Sequence, residues 1–396
     1  MENLLTQAEA RHHSAVIASV GTAWAADSRV WERDERLPEE VVAWCAAEGL
    51  LGAMIPRAYG GLGWSAVELG LLYEALGRVS ASLASLVNVH GMVAQTLVRW
   101  GSGGQREELL PELASGRKIA AVSMTERQAG SDLSLIETTL TGQGSGHVLD
   151  GTKLYTTFGQ RADLYLVYAR TAGGPVCCLL DRTNPGLTVS PITGLLGLRA
   201  AQVARVEMRG CRIEPDAVVG KPGFAQSVLL PHALEHGRHA VAWMAVGMLS
   251  SALASCSAAV LERRAFGRVL VEHGQIQNIV TAMGVDLEAA RALCVQASRA
   301  MAAADPAATR KVLMAKYFAC QALERHAAQA VQAMGARGAL EDDGASRIYR
   351  DAKVLNIIEG TPQLLERLLT PQIAREAAGP SWGNGRPGTA FHGRKG

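Results

Sequence analysis

The stretch RDAKVLNIIEGT, residues 350–361, decides how the rest of this sequence is interpreted, because it places one carboxylate, Glu359, after an apolar run and directly before Gly360. A carboxylate in such a run loses contact with water, and this loss raises its pKa toward the range of a working base. A glycine at the next position lets backbone and ligand approach closely. The alternative is an ordinary helix C-terminus, with Glu359 exposed and Gly360 as the cap. This segment by itself leaves both interpretations open.

Length and composition indicate a globular protein of two or three domains. The chain has 396 residues, of which 48% are hydrophobic. Such a chain is long enough to bury a sizeable core. The net charge is +2, from 39 basic and 37 acidic residues, and no stretch concentrates lysine and arginine. This balance argues against a nucleic-acid-binding protein.

The cysteines and the N-terminus predict a reduced, cytoplasmic protein. None of the seven cysteines falls into a CxxC pair, so the sequence predicts neither a zinc site nor any other metal site. The count is odd, and the chain begins without a charged and then apolar leader. We therefore expect buried, unreactive thiols in a reducing compartment.

One uncharged segment, residues 240–261, is long enough to span a bilayer. It is rich in alanine and holds four serines, and charged residues crowd both of its ends. These features favour a helix buried on most sides within a bundle. The sequence therefore predicts a protein that does not associate with membranes.

The periodicity of apolar residues divides the chain into three regions and a tail. Residues 1–120 have helical spacing, and residues 121–224 contain short apolar runs bounded by Gly, Pro, Asn and Asp, typical of a β domain. Residues 225–378 return to long helical stretches, and residues 379–396 have the composition of a flexible tail. The chain is thus expected to form an α+β multidomain protein in the order helices, β domain, helical bundle.

Two polar segments of the predicted β domain could line a ligand. Residues 123–132 combine hydroxyl groups and small residues, which suits the edge of a planar polar ligand or an ordinary turn. This segment matches neither the P-loop nor the GxGxxG fingerprint. In residues 151–157, Tyr155 next to Thr156 and Thr157 could cover a ring, although an ordinary strand has the same pattern.

Taken together in this order, these segments resemble the FAD-dependent acyl-CoA dehydrogenases over residues 30–375. The motifs that carry the resemblance are MTERQAGSD (124–132), GTKLYTT (151–157), LGLR (196–199), ERRAFG (262–267) and RDAKVLNIIEGT (350–361). The resemblance implies an N-terminal helical domain, a middle antiparallel β-barrel or sandwich and a C-terminal four-helix bundle. A narrower likeness, to the acyl-carrier-protein dehydrogenases of methoxymalonyl extender-unit biosynthesis, involves ERQAGSDLS (126–134), GRHAVAW (237–243) and IIEG (357–360).

The resemblance also implies a reaction and its base. In this family a carboxylate removes the α-proton of an acyl thioester, and the β-hydrogen leaves as hydride to flavin N5. Glu359 matches the catalytic base, and Gly360 beside it matches a substrate-binding position. Some members carry the base on an earlier helix, where this chain has Gly237, so Glu359 is the remaining candidate. A flavin hydroxyl and the amide of the base polarise the thioester carbonyl in an oxyanion-hole arrangement.

Further residues match cofactor and substrate positions of the family. The matches to the flavin ring are Met124, Thr125, Tyr155 and Thr157; those to the FAD of a neighbouring subunit are Arg263 and Phe266; those to its adenosine-diphosphate end are Gln332, Gly335 and Thr361; those to the substrate are Ser131 and Arg238. Arg263 could instead be a solvated helix end and Gln332 a surface side chain. Arg238 could support the base, bind an acidic substrate group, or pair with Glu235.

Three departures from the family pattern, Gly274, Ala282 and Ala336, fall on the FAD-diphosphate and intersubunit side, while the catalytic side looks intact. The resemblance implies a homodimer or homotetramer, an acyl thioester on acyl carrier protein or CoA, and a flavoprotein or oxygen as electron acceptor. The favoured function is dehydrogenation of a short polar acyl-carrier-protein thioester for a polyketide. The alternatives are a catabolic short- or branched-chain acyl-CoA dehydrogenase and a flavin-binding protein without turnover, against which the intact Glu359 argues.

Overall fold

The structure, a computed structural model, describes residues 4–24, 28–341 and 343–378. The predicted tail at residues 379–396 lies outside this part of the chain. The helices that precede the sheet are α1 (Gln7–Trp24), α2 (Ser28–Arg33), α3 (Glu39–Ala47), α4 (Ala66–Val79), α5 (Ala81–Trp100) and α6 (Gly103–Ala114). Serine starts two of them by the capping box that their sequences contain: Ser65 with Glu68 for α4, and Ser102 with Gln105 for α6.

Strands and a second helical region follow in the predicted order. The strands are β1 (Ala120–Ser123), β2 (Thr139–Gln143), β3 (Gly146–Thr156), β4 (Leu164–Thr171), β5 (Gly174–Asp181), β6 (Leu187–Pro191), β7 (Ala204–Ile213) and β8 (Val218–Val219). After a π-helical turn at Ala225–Leu229 come α7 (Leu230–Glu262), the hairpin strands β9 (Arg264–Ala265) and β10 (Arg268–Val269), α8 (Gly274–Ala302), α9 (Ala308–Met334), α10 (Gly344–Ile357) and α11 (Pro362–Ala378). The predicted arrangement of helical, β and helical regions is confirmed.

The sheet is mixed rather than purely antiparallel. Its strands lie in the order β6-β7-β3-β2-β4-β5-β8, with β1 beside β4. The pairings of β4 with β1 and with β2 are parallel, while the others are antiparallel. The reason is that β3 does not turn directly into β4. The connection at residues 157–163 carries the chain across the sheet, so that β4 runs in the same direction as β1 and β2.

Glycines allow the N-terminal helices to pack closely against the C-terminal bundle. A Cβ atom on Gly77 of α4 would lie 2.6 Å from the carbonyl oxygen of Met244 on α7. One on Gly247 of α7 would lie 2.1 Å from the carbonyl oxygen of Glu74. The backbones of α4 and α7 therefore touch, and this contact anchors α7, the helix on which the site described below is built.

Two helical segments are long and apolar enough to cross a bilayer by length and composition alone: Ala81–Trp100 and Ala225–Glu262. The most apolar window of the first is 89% buried in the protein, and that of the second is 50% buried. Residues 240–261, which the sequence predicts as a buried helix, form the C-terminal two-thirds of α7. They are buried as far as Leu249, and beyond it exposed and buried positions alternate.

Candidate active site

Glu359 lies in a left-handed turn between α10 and α11. Helix α10 ends at Ile357, and after Ile358 two consecutive residues have positive φ angles, +55° at Glu359 and +104° at Gly360. The Oε2 atom of Glu359 is buried and has no hydrogen-bond partner among the residues that the structure describes. The interpretation of Glu359 as an exposed helix end is therefore wrong. A positive φ is uncommon for a residue other than glycine, so surrounding contacts must hold this turn.

Two buried cations hold the turn by its backbone. Arg238 of α7 donates from Nε to the carbonyl oxygen of Glu359 at 3.0 Å. Lys316 of α9 donates from Nζ to the carbonyl oxygens of Gly360 at 2.7 Å and Asn356 at 3.3 Å. Arg238 is 7% exposed and Lys316 is fully buried. Arg238 is among the residues predicted from the sequence, whereas Lys316 is not; its signal in the sequence is an isolated charge in the apolar helical run VLMAKYFAC.

The alternative partner proposed for Arg238, Glu235, has another neighbour. Thr309 on α9 donates its hydroxyl to Oε1 of Glu235 at 3.1 Å. Burial raises the pKa of Glu235, although Thr309 and the nearby Arg238 act against this. The structure thus directs the guanidinium of Arg238 to the Glu359 turn, which agrees with its predicted role in supporting the base.

The carboxylate of Glu359 rests on the backbone of α7 at Gly237. A Cβ atom built on Gly237 would lie 2.4 Å from Oε2 and 2.5 Å from Cδ of Glu359. Such distances are shorter than any non-bonded contact between these atoms, so only glycine leaves room for the carboxylate here. Gly237, the position at which some family members carry the base, therefore adjoins the carboxylate of Glu359, although the two residues are far apart in the sequence.

Burial governs the proton affinity of Glu359. Loss of water raises its pKa from 4.5 to about 7, while the charges of Arg238 and Lys316 act in the opposite direction and limit the increase. A carboxylate that titrates near neutrality, with one oxygen lacking a partner, can accept a proton from a bound ligand. The geometry and electrostatics of this turn are therefore those of a general base.

A buried ion pair fixes the loop that contains Met124 and Thr125. The Nζ atom of Lys153 on β3 lies 2.7 Å from Oε1 of Glu126, and neither side chain is appreciably exposed. Lys153 also donates to the carbonyl oxygen of Met124 at 3.1 Å, and the amide of Leu154 donates to that of Thr125 at 2.8 Å. Two of the sequence motifs are thus joined. Glu126 and Lys153 belong to these motifs, but their sequence positions alone do not predict that they pair.

Tyr155 presents an aromatic ring to the surface at the end of β3. Its side chain is 59% exposed and its φ is +57°. Thr156 points inward instead, with its hydroxyl 3.0 Å from that of Ser123, and Thr157 is half-buried. An exposed ring beside the fixed loop at Met124 can stack on a planar ligand. These residues fit the flavin that the sequence resemblance implies.

The other residues predicted to bind FAD lie in two places. Arg263, just after α7, donates to the carbonyl oxygen of Met334 at 3.2 Å, beside Gly335. Phe266, in the turn between β9 and β10, is 98% exposed. Gln332 is exposed on α9. Thr361 instead borders a cleft of about 520 Å³ next to the Glu359 turn.

Phe266 and Glu359 cannot contact the same flavin ring within one chain. They lie toward opposite ends of α7, because Gly237 touches Glu359 and the helix continues to Glu262. At 1.5 Å per residue, about 37 Å of helix separates these two points. The structure therefore does not bring the predicted cofactor residues together in a single chain.

Ser131 and the LGLR motif lie in different surroundings. Ser131 is exposed, in the loop where Asp132 accepts hydrogen bonds from the amide and hydroxyl of Ser134. In the LGLR motif, the amide of Leu198 donates to Oδ1 of Asp351 at 2.7 Å. Asp351 belongs to the segment RDAK, so this bond ties the β region to α10 and fixes the helix from which Glu359 emerges.

All three regions of the chain match known proteins. Sequence models of the acyl-CoA dehydrogenase family match residues 9–117 (N-terminal domain), 121–211 (middle domain) and 228–374 (C-terminal domain). The chain is 28% identical over 351 residues to mitochondrial isobutyryl-CoA dehydrogenase of Dictyostelium discoideum, a match that covers 87% of this chain and 84% of that protein. It is 31% identical over 337 residues to cyclohexane-1-carbonyl-CoA dehydrogenase of Geobacter metallireducens, covering 83% and 88%.

A solved structure also matches over nearly the whole chain. It is described as FkbI for biosynthesis of the methoxymalonyl extender unit of the FK520 polyketide immunosuppressant. The two structures superpose with a TM-score of 0.84 at 30% identity, and the match covers 92% of this chain and 99% of that one.

Proposed function

Because this chain belongs to the acyl-CoA dehydrogenase family, whose members bind FAD and oxidise acyl thioesters, we propose that it dehydrogenates a short, polar acyl group carried by an acyl carrier protein for polyketide extender-unit biosynthesis. The observation that carries the dehydrogenase assignment is the buried Oε2 of Glu359, to which no residue in the described part of the chain forms a hydrogen bond. A base that must take a weakly acidic proton next to a thioester has to be positioned and shielded from water. The turn at Glu359 meets both requirements.

The protein contributes three things to this reaction. Glu359 accepts the α-proton on its carboxylate, which Gly237 and the two cations keep in place. The loop at Met124 and Thr125 and the exposed ring of Tyr155 would hold the isoalloxazine. Bound FAD supplies the acceptor for the β-hydrogen, which leaves as hydride. Burial of the Oε2 atom of Glu359 shields the proton transfer from water.

The carrier-protein part of the proposal rests on narrower support. The segments 126–134, 237–243 and 357–360 are similar to those of the acyl-carrier-protein branch, and the structure described for methoxymalonyl biosynthesis matches most of the chain. The second candidate is a catabolic short- or branched-chain acyl-CoA dehydrogenase. The relatives named for isobutyryl-CoA and cyclohexane-1-carbonyl-CoA favour this candidate.

Matched substrates distinguish the two carriers. The purified protein, loaded with FAD under anaerobic conditions, is mixed with one short hydroxyacyl group attached either to acyl carrier protein or to CoA. Faster bleaching of the flavin absorbance with the carrier-protein form is the expected result. Bleaching with CoA forms alone would remove the carrier-protein proposal and support the catabolic alternative. If neither form bleached the flavin across a panel of acyl groups, the dehydrogenase assignment would fail.

We further propose a cytoplasmic homodimer or homotetramer that passes electrons to a flavoprotein or to oxygen. The support for an oligomer is the distance along α7 between Glu359 and the exposed Phe266. Since one chain cannot place both residues on one flavin ring, Arg263 and Phe266 are available to reach the cofactor of a neighbour. The departures Gly274, Ala282 and Ala336 lie on this same C-terminal region.

The rate of flavin reduction is expected to rise with pH, with a midpoint near 7. Glu359 works as a base only when deprotonated, and burial raises its pKa to about 7. The rate therefore increases from about pH 6 to about pH 8 and then levels off. Stopped-flow absorbance at saturating thioester measures this profile. The FAD content at each pH serves as the control, and a rate that is constant over this range would contradict the assignment.

A further inference from the structure

We propose that Lys316 is a positioning residue for this reaction: its ammonium group fixes the Glu359–Gly360 turn and provides a buried positive charge that favours the deprotonated base. This inference rests on the proposed function, because it assigns Lys316 a role through Glu359. Lys316 itself need not touch substrate or cofactor. Its hydrogen bonds go to the backbone of the turn rather than to the carboxylate.

The position of Lys316 in α9 is unusual for a lysine. Its side chain has 0% relative exposure, and neighbours on the same helix face, such as Val312 and Ala319, are fully buried apolar residues. Placing an ammonium group there costs free energy unless the charge is compensated. The two carbonyl oxygens that it contacts satisfy its hydrogen-bonding capacity in part. A carboxylate across the turn, that of Glu359, supplies the opposite charge.

The geometry makes Lys316 the partner of Arg238. Arg238 from α7 holds the carbonyl of Glu359, and Lys316 from α9 holds the carbonyl of Gly360. The two peptide groups are consecutive, and both residues have positive φ angles. Side chains from two different helices, α7 and α9, therefore hold this turn by hydrogen bonds. Loss of either contact frees a backbone segment whose conformation is intrinsically unfavourable for Glu359.

The charged groups around the turn set the sign of the electrostatic effect. Glu359 faces Arg238 from α7 and Lys316 from α9, and both cations lower its pKa against the effect of burial. Lys316 faces Glu359, Arg238 and the thiol of Cys320, and burial lowers its own pKa. Glu235 is near Arg238. Removing the ammonium deletes one of the two charges that stabilise the carboxylate, so Glu359 would bind its proton more tightly.

Three substitutions separate the two roles. Lys316→Met removes both the hydrogen bonds and the charge, Lys316→Gln retains a donor without the charge, and Lys316→Arg retains the charge. Lys311→Met is the matched control, because Lys311 lies on the same helix, is partly exposed and is bound to Asp305 at 2.7 Å. The midpoint of the pH–rate profile should move up by roughly one pH unit in the Met and Gln variants. It should stay in place in the Arg variant and in the control.

Thioester binding reports on the positioning role. The affinity for a non-reducible thioester analogue should fall more in Lys316→Met than in Lys316→Gln, because the glutamine amide can still donate to the turn. A purely structural lysine would lower the rate only in proportion to the folded, FAD-loaded fraction. In that case the midpoint of the profile would not move.

A titration without turnover makes the test independent of the proposed function. Protein labelled with carbon-13 at the glutamate carboxyl is titrated by NMR, and the Glu359 signal is assigned by its loss in Glu359→Gln. An upward shift of this titration in Lys316→Gln supports the inference even if no thioester tested is a substrate. The proposed function stands if a thioester bleaches the flavin of the wild-type protein. The Lys316 inference is overturned if, in addition, both the titration and the rate profile of Lys316→Gln match those of wild type. If Lys316→Met does not fold, the Gln and Arg variants still decide.

Discussion

Glu359→Gln is expected to lower the rate of flavin reduction by an acyl thioester by about a thousandfold, within the range that a general base contributes. The amide has nearly the shape of the carboxylate but cannot accept the α-proton. Arg238 donates to the carbonyl oxygen of residue 359 and Lys316 to that of Gly360, so neither contact involves the substituted side chain and the turn should persist. The variant should therefore keep its FAD and bind thioester while losing the chemical step.

Exchange of the α-proton with D2O separates the base from the rest of the reaction. Wild-type protein should catalyse this exchange on a bound thioester, as followed by NMR, and Glu359→Gln should not. Glu108→Gln, at an exposed position on α6, is the control and should behave as wild type. Exchange and bleaching at wild-type rates in Glu359→Gln would show that another group removes the proton.

Gly237→Ala should lower the rate by about a hundredfold without destabilising the fold. The new methyl group would lie 2.4 Å from Oε2 of Glu359, so the carboxylate has to move. A displacement of about 1 Å at a reacting group can reduce the rate by two orders of magnitude. Alanine is also the better helix former by about 1 kcal/mol, so the free energy of unfolding should stay equal or rise. Kinetics and urea unfolding of the same preparation measure both effects.

Gly284→Ala is the matched control for this substitution. Gly284 lies within α8, and a Cβ atom there would meet no atom of residues 4–24, 28–341 or 343–378 within 4 Å. At equal FAD content, this variant should gain helix stability and reduce its flavin at the wild-type rate. If Gly237→Ala also kept full activity, the contact between α7 and the carboxylate would not be important for the reaction.

Moving the carboxylate from position 359 to position 237 tests the same contact from the side of α7. The double variant Gly237→Glu with Glu359→Gly places a carboxylate on α7 in the space that the native one borders. It should recover part of the activity that Glu359→Gly alone loses, because both positions adjoin the same point of the site. Equal activity in the double variant and in Glu359→Gly would indicate that a carboxylate on α7 cannot reach the α-proton.

The sequence by itself determined the order of the three regions and, through its family resemblance, singled out Glu359 as the candidate base. Helical and strand periodicities are local, so they are visible in short windows of sequence. The apolar run before Glu359 and the glycine after it left a desolvated carboxylate and an exposed helix end both open, and the other family motifs decided in favour of the carboxylate. The residues matched to the flavin ring, among them Tyr155, also followed from short motifs, and the structure leaves that ring exposed as a stacking surface requires.

Only the tertiary structure decided how the base is held. Lys316 and Gly360 are 44 residues apart, Arg238 and Glu359 are 121 apart, and Leu198 and Asp351 are 153 apart. No local pattern encodes such contacts, because they depend on how α7, α9 and α10 pack around one turn. The same holds for the parallel pairing of β4 with β1, and for the contact that makes Gly237 necessary. The type of a residue and its immediate neighbours in the sequence determine which chemistry it can perform. Its position and its proton affinity depend on groups that only folding brings into contact with it.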